Sequence, residues 1–225
     1  MGAYLTAEDH KRVSDAVAAA ESRTAGEIVT VVADRSGGYS DVAFAWAILA
    51  SFTALAVFAL YPQLVLGKLE WIAGGWNHEW TDRELLGIAT GLAIVKFLGV
   101  WLIQLWQPLK FVLVPSPIKT ARALARAIDL FKVGAERRTH GRTGILIYLS
   151  MREHRAEIVA DEAIVSKVTP ETWGEAMAAM LAEIKQGHCA DGMIAAVEKV
   201  GAVLAEHVPR AADDHNELPD RLIEL

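Results

Sequence analysis

Residues 42–61 read VAFAWAILASFTALAVFALY, an unbroken run without a charged side chain. About 20 apolar residues in a helix cross the ~30 Å hydrocarbon core of a bilayer. Any fold of this chain must therefore put that run in lipid or at the centre of a core. Core helices are usually shorter and keep polar residues along one side. Length and lack of charge predict a membrane span that Pro62 ends. A second run, LLGIATGLAIVKFLGVWLIQLW at 85–106, carries one charge, Lys96. A lysine at mid-span costs about 2.5–3.5 kcal/mol on insertion scales, and the flanking Leu, Ile, Val, Phe and Trp residues outweigh it. Two spans make a transmembrane hairpin, residues 41–108, that returns the chain to the side it left.

Trp71, Trp76 and Trp80 cluster between the runs, and Trp101 and Trp106 mark the far end of the second. Indole rings favour the membrane–water interface, so WNHEW reads as an anchor rather than a binding site. The hairpin loop offers Lys68 and Arg83. The other side offers Arg35, Lys110, Lys119, Arg122, Arg126 and Lys132. That asymmetry predicts that the second set faces the cytoplasm. The opening MGAYLTAEDHKRVSDAV has charges where a signal peptide needs an apolar stretch. Gly2 and Thr6 meet a myristoylation pattern that is too loose to carry a conclusion. The expectation is a multi-pass protein of the inner (plasma) membrane, with its soluble domain and both termini cytoplasmic.

The soluble pieces flank the hairpin. Thr6 suits a helix cap with Asp9 three residues on, and Val13, Val17 and Ala20 share a face, which predicts a helix over 6–23. GEIVTVVAD follows as a strand covered on both faces. After the hairpin, PLKFVLVPSP reads as extended around its prolines. Residues 118–132 read as a helix with Ile118, Ala121, Ala125 and Ile128 inward, and a basic outer face suited to anionic head groups or to water. GILIYLS and AEIVAD around MREHR predict a β-hairpin. A helix from Thr169 or Pro170 to about Gln186 is stopped by Gly187. A last one, about 190–207, is apolar at Met193, Val197, Val200 and Leu204. The tail from 209 to 225 reads as polar and mobile. Neither flank holds a sheet alone, so pairing between them predicts one split domain, 6–40 with 109–208. The fold class is α/β: a small sheet sandwiched between helices, interrupted by the hairpin.

AVAAAESRTAGEIVTVVADRS, RTGILIYLSMREHRAEIVADEAI and GHCADGMIAAVEKVGAVLAEHVP together resemble the TPM-domain family, over about 6–34 and 118–208. The family includes thylakoid proteins of photosystem repair and an auxiliary protein of acetylcholine receptors. The resemblance implies a small sheet between helices. The usual member is a continuous domain outside the cytoplasm behind a signal peptide. With its inserted hairpin this chain resembles a bacterial subgroup that has internal spans. Plant members are associated with weak acid phosphatase activity and divalent-cation binding by acidic residues. On that resemblance the matching acids are Asp34, after the first strand, and Asp161, after the hairpin strand, holding Ca²⁺ or Mg²⁺. The alternative is that each caps the turn or helix that follows.

Other chemistry is thin. Net charge is −6, which gives nucleic acid no footing, and the single Cys189 excludes an intramolecular disulfide framework or thiolate zinc cluster. His188 and Cys189 are adjacent, a poor spacing for a metal or a catalytic pair. The chain contains no phosphate-binding glycine loop, G-x-S-x-G or H-E-x-x-H. Glu27, Glu157 and Arg142 beside the strands read as surface positions. Lys96 is the candidate contact within the membrane, with a partner protein or a second copy, and Gly87, Ala89 and Gly91 would permit close helix approach. Two functions stand: a non-catalytic interaction module for membrane assembly or maintenance, and a weak divalent-metal-dependent phosphatase.

Overall fold

The computed structural model describes residues 4–72, 79–134, 143–210 and 217–225. The chain forms two compact units. One joins Met1–Gly37 to Ser116–Leu225, and the other is Gly38–Pro115.

The first unit holds the sheet. Helix α1 (Ala7–Glu21) starts on a capping box: the Thr6 hydroxyl accepts from the Asp9 N–H, and the Thr6 N–H donates to the Asp9 carboxylate. Strand β1 (Glu27–Ala33) pairs in parallel with β2 (Gly144–Ser150), Ala33 opposite Ser150. β3 (Arg155–Ala160) runs antiparallel to β2, and β4 (Ile223–Glu224) pairs in parallel with β1. The order is β3-β2-β1-β4. All seven residues of both β1 and β2 are buried, which demands cover on both faces.

Alternation along the strands divides that cover. Ile28, Val32, Ile145, Ile147 and Leu149 meet α1, α8 (Pro170–Ile184) and α9 (Cys189–His207). Val29, Val31, Leu146 and Tyr148 meet Ala123, Ala127 and Phe131 of α6 (Ser116–Gly134). Each large apolar side chain buried this way contributes about 1.5–3 kcal/mol. A short α7 (Glu162–Val165) follows β3.

The second unit contains α2 (Ser40–Leu60), α3 (Gln63–Ile72), α4 (Asp82–Ile103) and α5 (Gln107–Leu113). α2 and α4 are long and apolar enough to cross a membrane. They pack on each other. Phe44 stacks on Phe97 and Trp101 at 6.3 and 6.2 Å, the Ser51 hydroxyl donates to the Ala93 carbonyl at 2.5 Å, and the Gln104 amide donates to the Ala43 carbonyl at 3.1 Å. Thr81 and Glu84 form a second capping box, which starts α4 three residues before the expected 85.

Three local expectations change, and one segment for which no element was expected is helical. PLKFVLVPSP is mostly helical, because Pro108 sits in the first turn of α5, where no N–H is needed. The segment after Pro62 also forms a helix, α3. The inward face of α6 is Ala123, Ala127 and Phe131; Ala121 and Ala125 are exposed. The tail is not simply polar, since Leu218 and Leu222 are buried and β4 joins the sheet.

Candidate functional site

β1 and β2 run in parallel and end together, so whatever follows each strand meets at one edge of the sheet. Asp34 follows β1. The first residues past β2 continue the ladder: Met151 N–H donates to the Ala33 carbonyl at 2.9 Å, and Arg152 N–H to the Asp34 carbonyl at 3.0 Å. This register sets Arg152 beside Asp34. Its Nε donates to both carboxylate oxygens, at 2.8 and 2.9 Å, and the Tyr4 hydroxyl donates to the same carboxylate. Burial acts to raise the Asp34 pKa. The bonds from Tyr4 and Arg152, with the charges of Arg152 and Arg35, outweigh it and hold the carboxyl below its ordinary value. Tyr4 moves the other way, raised by burial and by its bond to Asp34.

Beside this triad the turn 151–154 is closed by His154 in the left-handed region, φ 51°. Glu153 in that turn is almost fully buried. It accepts from the Ser36 N–H at 2.8 Å and from the Ser150 hydroxyl, while the Ser36 and Tyr148 hydroxyls pair at 2.9 Å. A buried carboxylate with these donors fastens the chain leaving β1 to the β2–β3 turn. The C-terminus joins from the other side: Asp34 N–H donates to the Leu225 carbonyl at 2.9 Å, and Glu224 accepts from the Tyr4 N–H at 2.6 Å.

Asp161 lies elsewhere. It follows β3, which is antiparallel, so it sits at the start of β2 and accepts from the Gly144 N–H at 3.1 Å. Its carbonyl accepts from Ile164 and Val165 at the head of α7. Seven strand positions at ~3.3 Å each separate it from Asp34 along the sheet, about 23 Å. The two acids expected to share a cation are at opposite ends of the sheet, because hairpin reversal inverts what a strand end means. Ca²⁺ and Mg²⁺ need several oxygens converging at one point. The pair does not fit a shared ion, and no cluster of three or more His, Cys, Asp or Glu suited to a metal occurs among the described residues.

The same end as Asp161 holds Glu27 and Glu21. Glu27 is buried rather than on the surface, and accepts from the N–H groups of Glu217 and Leu218 at 3.2 and 3.1 Å. Glu21 accepts from the Ile28 N–H at 2.6 Å. Burial pushes the Glu21 carboxyl up to about 8; the Ile28 bond opposes this, and the Glu27 and Asp220 charges reinforce it. Glu157 is half-buried. Arg142 and Trp76 lie outside the described residues. Cys189 is buried beside Met151, and burial pushes its thiol up to about 11, the reverse of an activated nucleophile. His188 pairs with Glu183 at 3.5 Å.

Lys96 lies on α4, in a cleft lined by α2, α3 and α4. Nothing comes within 4 Å of a Cβ built on Gly87 or Gly91, so neither position is occupied by packing within the chain. Sequence reasoning found Asp34 but missed Arg152, Tyr4 and Glu153. The signal for Arg152 was the parallel register itself, which brings residue 152 level with residue 34.

Residues 109–203 match the sequence model of the TPM domain. The solution structure of BA42 protein from the psychrophilic bacterium Bizionia argentinensis is similar in fold. Its TM-score is 0.57 at 20% identity, covering 100% of this chain and 98% of that one. No curated protein matches the chain.

Proposed function

Because this chain carries a TPM domain, we propose that it is an integral membrane protein whose TPM domain is a non-catalytic module for membrane assembly or maintenance. The spans α2 and α4 hold the domain and both termini at the cytoplasmic face of the inner membrane. The observation that carries the membrane part is the exposure of the spans: Phe52, Leu60, Leu86 and Val95 each keep more than 60% of their surface open. A water-soluble monomer rarely exposes contiguous apolar surface on that scale. The lysine and arginine asymmetry across the hairpin supports the orientation.

The non-catalytic part rests on Asp34. Its carboxylate is engaged by Arg152 and Tyr4, and Asp161 is engaged at the far end of the sheet. The competing reading is a divalent-metal-dependent phosphatase. Purified full-length protein in detergent, assayed on a generic phosphomonoester with Mg²⁺ or Ca²⁺, separates them. The module reading expects no metal-stimulated turnover above that of the Asp34→Ala variant. Turnover that needs the metal and is abolished by Asp34→Ala would establish the phosphatase.

A further inference from the structure

A cleft of about 710 Å³ opens among α2, α3, α4 and the end of α5, within the second unit. Its walls are apolar, with Leu49 and Val57 of α2, Leu64 of α3 and Leu92 of α4, and two lysines are among its lining residues: Lys68 of α3 and Lys96 of α4. Among the described residues, neither lysine has a hydrogen bond or ion pair.

We propose that this cleft holds one anionic phospholipid, with its phosphate on Lys96 and an acyl chain along α2. The inference rests on the membrane reading above. Three features carry it. The first is shape. The lining runs from Trp46 to Val57, a rise of roughly 16 Å along α2. Spread over that length, the volume gives a cross-section of about 45 Å², about half that of a helix 10–12 Å across. A hydrocarbon chain suits such a groove, whereas a transmembrane helix would not enter it.

The second feature is depth. Lys96 is seven residues from Ile103, so its Cα lies about 10 Å inside that end of α4. Its Cα–Cβ bond leans away from that end, but the flexible four-carbon stem can turn back towards the head groups of that leaflet while covering apolar wall. The third feature is charge. An ammonium at this depth requires a counter-ion, and none of the described residues supplies it. A phosphate at the interface does. Lys68 of α3, on the turn side of the hairpin, adds a second positive charge to the lining.

The test uses full-length protein in nanodiscs of phosphatidylcholine with a minor share of phosphatidylglycerol, released gently and weighed by native mass spectrometry. One retained phosphatidylglycerol per chain is expected, in preference to phosphatidylcholine. Lys96→Gln should lower that retention about fivefold, and Lys96→Arg should preserve it. Ala54→Phe, which fills the groove without touching charge, should lower it too. Equal retention of the two lipids overturns the proposal, as does indifference to both Lys96→Gln and Ala54→Phe, or an acidic partner helix retained in the lipid's place. A parallel wash of cell membranes in alkaline carbonate distinguishes the failures. Protein stripped by carbonate sinks the membrane reading and this inference together; protein that stays but shows no lipid preference sinks this inference alone.

Discussion

Asp34 was legible as an acid at a strand end, but its partner was not. Arg152 lies in the polar turn MREHR, and nothing local distinguishes it from a solvated arginine; only the parallel pairing of β1 and β2 brings it to Asp34. The contact is part-buried, so its worth is that of a charge-assisted bond reduced by solvent. Asp34→Ala should destabilise the solubilised protein by about 1–2 kcal/mol in thermal unfolding. The folded pKa of Asp34 lies below its unfolded value. The contribution is therefore present above the unfolded pKa and lost as pH falls through the folded one. Glu21 has the opposite sign. Its folded pKa, about 8, exceeds the ordinary 4.5, so its contribution is full below 4.5 and is lost as pH rises through about 8. Glu21→Gln keeps an acceptor for the Ile28 N–H and cannot ionise. Its melting temperature should fall less between pH 5 and pH 8 than that of the parent; identical pH profiles would show that Glu21 does not titrate in this window.

Elements were read well where pattern alone decides. The largely apolar runs GILIYLS and EIVTVVA became central strands, and Met193, Val197, Val200 and Leu204 form the buried face of α9. α6 was misread because alanine marks no face. Phe131 anchors the helix to the sheet and draws Ala123 and Ala127 inward, turning Ala121 and Ala125 outward. β4 was missed because two paired residues carry no periodicity. Its role is nonetheless large: it covers the edge of β1 and brings Leu218 and Leu222 into contact with the core. Ending the chain at Glu217 should cost about 3–6 kcal/mol from those two leucines alone, and would leave the β1 edge open to aggregation. An unchanged melting temperature and unchanged solubility would mean that the strand is incidental.

At the scale of the whole molecule, one chain joins a split α/β domain to a pair of helices long and apolar enough to cross a membrane. The chain leaves the first unit at Gly37 and re-enters it at Ser116. β1 and β2 nevertheless pair along seven residues, which is why the two flanks could be read as one sheet before either showed a partner. The register could not be read, and the expected metal pair failed for a separate reason, the reversal of β3 against β2. If α2 and α4 cross the bilayer as a hairpin, the loop and the C-terminus lie in different compartments. Two reporter fusions test this most directly, one at Glu79 and one after Leu225, each made with a reporter active only in the cytoplasm and with one active only outside it. External activity at Glu79 and cytoplasmic activity at Leu225 are the predicted result. The same compartment for both would contradict the hairpin, and an external Leu225 would contradict the orientation.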